Sequence, residues 1–318
     1  MRVLIGFDGS ESSDAMLEDL NRAGLPRVCD AKVVTVTDLF MGKPQAKAAA
    51  AETAGAGRIG GALERMGSRA EQISAAANGH AERAADLLGL QFPEWNISHE
   101  VLSGTPAWEL IEAGENWNAD LIVVGSNARS LFGRLLLGSV SKTVVTDSQR
   151  SVRVSRPGRR VDAAAAPRVM VGIDGTPASR AAVEAVGSRV WDDGTHVHLV
   201  AVRDQHPPAR IARLMPKAAD MVSDANQTAV KAQDELLDWA YFQLKSIGIT
   251  TTMSIQRGDA KRILLKAAER HRADSIFVGT REFKNSLERF RLGSVSSGIL
   301  MNAGCSVEVI RPIAADES

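Results

Sequence analysis

The chain is written twice, and nothing else in it constrains the fold as strongly. "RVLIGFDGSESSDAML" at 2–17 returns as "RVMVGIDGTPASRAAV" at 168–183, and "NADLIVVGS" at 118–126 returns as "RADSIFVGT" at 272–280. "LGSVSKTVV" at 137–145 matches "LGSVSSGIL" at 292–300, and "SVRVSRP" at 151–157 matches "SVEVIRP" at 306–312. Asp8 lies 166 residues from Asp174 and Val36 lies 166 from Val202, whereas Gly104 and Gly258, like Gly125 and Gly279, are 154 apart. Copy 1 therefore carries 12 extra residues between 36 and 104. Gly138 and Gly293 are 155 apart, so copy 2 carries one extra residue in the segment before them. With 318 residues in all, each copy is long enough to bury a core of its own. The domains expected are 1–157 and 168–313.

Each copy alternates strand and helix. Residues 2–8 form a continuous apolar run, as in a strand covered on both faces. A Ser-led helix over about 12–23 follows, then strands at "AKVVTVTD" and "NISHEVL", a helix at "TPAWELIEAGENW" with Pro106 in its first turn, and the strand "ADLIVVG". "GSVSKTVVTD" opens the fourth helix and "SVRVS" is the fifth strand. This alternation predicts a parallel, doubly wound sheet with helices on both faces in each copy. Residues 44–91 are rich in Ala and Gly; Gly55, Gly57, Gly60 and Gly61 interrupt helix formers, which predicts a mobile flap or a partly ordered helix there and better helix after it. In copy 2, residues 216–248 read as one long amphipathic helix. Residues 156–168 link the copies, and the "IAADES" tail is expected to fray.

Lys plus Arg and Asp plus Glu each number 38, which gives no electrostatic case for nucleic acid or an anionic membrane as a partner. Cys29 and Cys305 lie in no metal or redox spacing and read as buried thiols of a reducing compartment. The first residues read as a strand and not a signal peptide, and no apolar run approaches the ~18 residues of a membrane span, so a soluble, cytoplasmic protein is expected.

A parallel sheet binds ligands at the carboxyl ends of its strands, where strand order reverses. Three elements of each copy reach that edge: the first strand at Asp8 or Asp174, the second near Val36 or Val202, the fourth at Gly125 or Gly279. From Gly125 the chain runs through "GSNARSLFGRLLLGSVS" to a helix start at Gly138-Ser139-Val140-Ser141. Free N–H groups and hydroxyls at a helix start make an anion cradle, with Arg129 and Arg134 nearby. An acid at one side and an anion cradle at the other suit a nucleotide. No P-loop, HExxH, nucleophile elbow or GxGxxG is present, and no general base stands beside an activated nucleophile. His196 and His198 alternate on one strand without a third ligand and read as surface residues; the five tryptophans read as core or interface packing.

On these residues both copies resemble universal stress protein domains. The resemblance covers nearly all of the chain except the Ala/Gly-rich insert, the linker and the tail. It implies a Rossmann-like α/β fold of the adenine nucleotide alpha hydrolase-like kind: two doubly wound five-stranded parallel sheets of strand order 3-2-1-4-5. The ATP-binding members carry G-x2-G-x9-G-[ST] after the fourth strand. Copy 1 has Gly125, Ala128 in place of the second glycine, then Gly138-Ser139; copy 2 has Gly279, Glu282, then Gly293-Ser294 with one residue too many. By position the resemblance implies that Asp8 and Asp174 contact adenosine and that Val36 and Val202 read adenine through their backbone. It implies that Gly125, Ala128, Gly138, Ser139, Val140 and Ser141, with Gly279, Gly293, Ser294, Val295 and Ser296 in copy 2, form the ribose and phosphate loop.

Each feature has a plainer role. The glycines can be turns, the two aspartates caps or turn residues, and Lys284, Arg289 and Arg291 a solvated charge run. Three functions follow: an ATP-binding stress or signalling protein (ATP, ADP or AMP, with or without Mg), binding mainly through copy 1; a nucleotide-free interaction scaffold for a protein partner; and a slow ATP-hydrolysing enzyme. The fifth strands are short and apolar on alternate residues, and such open edges need covering. Family members pair through this strand, and the linker of roughly a dozen residues spans at most ~40 Å. The copies are therefore expected to pair edge to edge as an internal pseudo-dimer, with Arg153 against Glu308 in a cross-strand ion pair of ~0.2–1 kcal/mol; a homodimer of chains is the other possible assembly.

Overall fold

The computed structural model describes residues 1–38, 58–126, 137–156, 165–203, 216–280 and 292–312. In copy 1 the strands are β1 (Arg2–Gly6), β2 (Asp30–Thr37), β3 (Asn96–Ser103), β4 (Leu121–Gly125) and β5 (Ser151–Ser155). Its helices are α1 (Glu11–Asp19), α2 (Arg58–Gln91), α3 (Pro106–Asn116) and α4 (Ser139–Asp147), with a 3-10 turn at Leu20–Arg22. Copy 2 repeats them as β6 (Arg168–Ile173), α5 (Pro177–Gly187), β7 (His196–Arg203), α6 (Pro216–Ser246), β8 (Thr250–Arg257), α7 (Ala260–His271), β9 (Ser275–Gly279), α8 (Ser294–Asn302) and β10 (Ser306–Ile310). The Ala/Gly-rich stretch is helical from Arg58, so Gly60 and Gly61 do not interrupt it. Its later turns bury Ala77, Ala81, Ala84 and Leu88 against the sheet, and such packing outweighs a local glycine cost of ~1 kcal/mol each.

The two sheets are one. Ten strands run in the order β3-β2-β1-β4-β5-β10-β9-β6-β7-β8, parallel within each copy and antiparallel where β5 meets β10. Each half has the order 3-2-1-4-5 that the resemblance implies. On one face a single core runs across the junction, from Leu4, Ile122, Val152 and Val154 to Val307, Val309 and Ile276, roofed by α3, α4, α7 and α8. On the other face each copy keeps its own core, one under α1 and α2, one under α5 and α6. Strand alternation turns Arg153 and Glu308 into the gap between those two cores.

The register sets Val154 opposite Val307, Arg153 opposite Glu308 and Val152 opposite Val309. Arg153 and Glu308 are equivalent positions of the duplication, so the pseudo-twofold axis passes through that pair. The expected pairing is present, and it is deeply buried. Both side chains are 0% exposed. Arg153 Nη1 lies 3.4 Å from Glu308 Oε2, and its Nη2 lies 2.8 Å from Asp19 at the end of α1. Arg189, just after α5, donates to both oxygens of Glu308, with Nη1–Oε2 at 3.0 Å. Burial disfavours the Arg153 charge, but the Asp19 and Glu308 carboxylates more than offset it and raise its pKa above the ordinary value. Two further arginines clasp the junction symmetrically. Arg156 donates to the Cys305 and Leu300 carbonyls, and its counterpart Arg311 donates to those of Arg150 and Val145.

The two cysteines are buried free thiols, and burial pushes Cys29 up to about 11 and Cys305 up to about 12. Among the described residues no helix is long and apolar enough to cross a membrane.

His198 departs from its surface reading. It is 5% exposed, its ring stacks on His271 at 3.7 Å between centroids, and Thr252 and Ser254 of β8 hydrogen-bond its two nitrogens at 2.8 and 3.0 Å. Alternation told which face the residue occupies, not that the end of α7 covers it. Burial, then the nearby His271 and His196, lower its pKa to about 4; Arg168 of β6 and Arg270 of α7 bear on the same cluster. A histidine depressed in the folded state is protonated first in the unfolded chain, so stability is lost as pH falls from about 6.5 toward 4. We expect the melting temperature to drop across that window and His198→Gln to flatten the drop. A pH-independent melt between 7 and 4 would contradict this.

Candidate functional site

The carboxyl edge of copy 1 is built from three turns. At the end of β1, Gly9 takes φ +77°, a left-handed conformation that suits glycine, and bends the chain into α1. Asp8 Oδ1 accepts from the Ser10 amide at 3.0 Å and the Ser13 hydroxyl at 2.7 Å, while Ser10 caps α1. The turn role weighed for Asp8 is therefore real, and it uses one carboxylate oxygen; the residue is exposed and Oδ2 takes part in neither bond. Desolvation at this edge alone would raise the Asp8 carboxyl, but the hydrogen bonds from Ser10 and Ser13 outweigh it and hold the pKa below the ordinary value. A carboxylate that stays ionised is a strong acceptor for hydroxyls.

The second turn is the end of β2. The Phe7 amide donates to Val34 at 2.9 Å, so the Val34 carbonyl faces β1. In a parallel ladder the N–H and C=O of residues two apart face the same neighbour. Val36 thus turns its amide and carbonyl toward the space beyond the last paired residue of β1, Gly6. The third is the start of α4. Gly138 is its N-cap and supplies no side-chain hydrogen bond, in contrast to Ser10 at α1, Thr176 at α5 and Asp259 at α7. The first-turn amides of Ser139, Val140 and Ser141 therefore have no capping side chain, and carry the positive end of the helix dipole. Ser139 is exposed and Val140 half-buried.

Two sequence-derived roles are narrowed. The Ser141 hydroxyl donates to the Gly125 carbonyl at 2.5 Å, and Ser296 donates to Gly279 at 3.1 Å. These buried hydroxyls tie the helix start to the strand end. Packing bears unequally on Gly125 and Gly279: a Cβ at Gly125 would make only a tight contact, 3.3 Å from Ser12, whereas one at Gly279 would fall 2.7 Å from the Ala178 Cβ with the Ala178 backbone nearer still. Ala128 and Glu282, with the neighbouring basic residues, lie outside the described residues.

Copy 2 repeats the arrangement with differences. Asp174 Oδ1 accepts from the Thr176 amide and hydroxyl at 3.1 and 2.6 Å, and Gly293 caps α8 as Gly138 caps α4. Ser294 is exposed and Val295 half-buried. At Val202, however, the backbone carbonyl already accepts a hydrogen bond from Gln233 of α6 at 3.3 Å. Two residues at this edge escaped the sequence reading. Gln233 is one; the other is His80 of α2, whose ring lies 2.6 Å from where a Gly9 Cβ would stand. Both sit on long helices whose periodicity marks a buried face without saying which turn of it meets the sheet edge.

The fold and this edge define a class: a duplicated, doubly wound α/β chain with a helix start open toward the carboxyl ends of its strands, twice. The sequence model of the universal stress protein family matches residues 1–156 and again 166–311. The chain belongs to the universal stress protein family. Universal stress protein Rv2005c of Mycobacterium tuberculosis is 27% identical over 218 residues, 68% of this chain and 69% of that one. Universal stress protein MJ0531 of Methanocaldococcus jannaschii is 32% identical over 92 residues, 28% of this chain and 54% of its own. Among solved structures, a universal stress protein from Archaeoglobus fulgidus superposes with a TM-score of 0.63 at 21% identity, covering 98% of both chains. That likeness extends the shared fold to the full tandem arrangement.

Proposed function

We propose that the chain is a cytoplasmic stress-response protein that binds an adenine nucleotide, ATP or its relatives ADP and AMP, through copy 1, as two domains spanning 1–157 and 168–313. The observation that carries this is the uncapped start of α4 at Gly138, on the strand edge toward which Val36 turns its amide and carbonyl. Phosphates would take the amides of Ser139, Val140 and Ser141, a ribose hydroxyl the outer oxygen of Asp8, and the base the backbone of Val36. Gly125, bonded by the Ser141 hydroxyl, anchors the strand end beneath the cradle, and Ala128 follows it in sequence. The phosphate oxygens would supply the ligands for any accompanying Mg. Binding would alter the surface seen by a protein partner; a hydrolytic step has no assigned residue.

Calorimetric titration with ATP tests this. Gly138→Asp places a carboxylate at the mouth of the cradle, and we expect it to abolish heat of binding while leaving the thermal melt in place. Unchanged affinity would sink the reading. The scaffold reading draws support from one observation, the Gln233 bond to Val202 in copy 2, and predicts no nucleotide released when freshly purified protein is denatured.

A further inference from the structure

The two long helices bury their sheet-facing residues at matching intervals. α2 buries Ala77, Ala81, Ala84 and Leu88; α6 buries Gln233, Leu237, Ala240 and Leu244. The spacing is the same, so Gln233 stands where copy 1 has Ala77. A buried glutamine needs partners for its carboxamide. Gln233 is 5% exposed, and its Nε2 donates to the Ile173 carbonyl at 2.8 Å and to the Val202 carbonyl at 3.3 Å. Those acceptors are the last residue of β6 and the next-to-last of β7, on the two sides of the strand-end cleft. Their counterparts in copy 1 are Phe7 and Val36, and Ala77 has nothing to donate to them.

The helix also lies closer in copy 2. A Cβ at Gly175 would stand 2.9 Å from the Gln233 backbone nitrogen and 3.0 Å from its Cα, whereas at Gly9 the nearest group is the His80 side chain. A side chain fills in copy 1 the space that helix backbone fills in copy 2. Arg203, at the end of β7, pairs with Asp234 at 2.5 Å and pins this turn of α6 over the strand ends.

We propose that copy 2 closes its own base pocket: Gln233 holds, with its carboxamide, the backbone acceptors at the ends of β6 and β7 that a nucleobase would need, so that the chain takes one nucleotide and not two. The inference rests on the nucleotide reading for copy 1 and explains why duplication has not doubled the site. A base entering copy 2 must first strip a buried amide of both acceptors, a weakening on the order of tenfold to a hundredfold. The plug is reversible in principle, because Ala at the same place is native to copy 1.

The test uses the full chain and ATP as the titrant. Wild type should bind one ATP per chain, and Gly138→Asp none. Adding Gln233→Ala to Gly138→Asp should restore one site, and Gln233→Ala alone should bring the stoichiometry toward two. The converse change, Ala77→Gln, should weaken the copy 1 site tenfold or more while the thermal melt shows a folded protein. Two equal sites in wild type would overturn the plug, as would Gln233→Ala with stoichiometry still at one. A wild type that binds nothing while Gln233→Ala binds one would support the plug and overturn the copy 1 assignment. Absence of binding in every form would overturn both.

Discussion

Replacing Glu308 with alanine is expected to cost the chain about 3–5 kcal/mol, the range for removing one partner of a buried ion pair, and to lower its melting temperature by roughly 6–15 °C at 2–3 °C per kcal/mol. Glu308 is the only acid touching both Arg153 and Arg189 among the described residues, and all three side chains are nearly or wholly buried. Its loss leaves Arg189 with the Ala23 carbonyl and Arg153 with Asp19 alone. Arg153→Glu should be worse, since it sets a carboxylate between Asp19 and Glu308. The reciprocal swap sharpens the test. If the pair acted alone, Arg153→Glu with Glu308→Arg would restore stability. In this network the swap brings a carboxylate at position 153 against Asp19 and a guanidinium at position 308 against Arg189, two like-charge contacts in a buried gap. We expect denaturant unfolding to show the double variant no more stable than the worse single one. Full restoration would show that Asp19 and Arg189 contribute little.

The same geometry selects the assembly. The pseudo-twofold axis runs through the Arg153–Glu308 pair, so two identical copies joined at this edge would set Arg against Arg or Glu against Glu. Like charges opposed without water are repelled strongly. Only copy 1 with copy 2 satisfies the axis, and the linker supplies that partner in cis. Symmetry survives where charge is not at stake: Arg156 and Arg311 make the same clasp from opposite sides.

What could be read from sequence follows from how local each feature is. The duplication and the strand–helix alternation are set by repeated strings and burial patterns, and the meeting of β5 with β10 by the short linker together with what the family resemblance implies for the fifth strand, so they were legible. The depth of the Arg153–Glu308 pair was not. Asp19 and Arg189 stand 166 residues from Ala185 and Ala23, apolar at both counterparts, so the repeat carried no hint that they converge. The ~0.2–1 kcal/mol of an ordinary cross-strand ion pair therefore undervalues it. At the site, the edge residues Asp8, Val36 and Gly138 were placed by strand ends and a helix start. Gln233 was missed because helical periodicity assigns a face and a polar residue on it reads as an interruption, when here it is an acceptor-seeking group at the sheet edge. The glycines of the nucleotide motif carry a second reading that the sequence does not show: Gly125 and Gly279 invite a phosphate explanation, and their neighbours are the first turns of α1 and α5.

That last point yields a test in which the chain is its own control. Gly279→Ala is expected to destabilise copy 2 by at least the ~3 kcal/mol top of the usual overpacking range, and Gly125→Ala by well under ~1 kcal/mol, the size of an ordinary surface effect. The two positions are equivalent in the duplication, share the same strand-end role and accept the same hydroxyl bond from the second serine of GSVS. They differ in how closely an added methyl meets the first turn of the neighbouring helix. At Gly125 the nearest atoms, the Ser12 carbonyl and hydroxyl, lie 3.3 Å away, and a shift of a few tenths of an ångström relieves the contact. At Gly279 the methyl would overlap the Ala178 backbone itself, and backbone in the first turn of a helix cannot rotate aside; β9 and α5 must separate or the strand end must bend. If these glycines existed for a ligand, alanine at either would lower nucleotide affinity and leave the melt alone. If they exist for packing, Gly279→Ala moves the melt with no nucleotide present, while Gly125→Ala leaves both the melt and the copy 1 titration close to wild type. Equal destabilisation at the two positions would contradict the packing account, because nothing else about their surroundings predicts that the second copy should be the less forgiving.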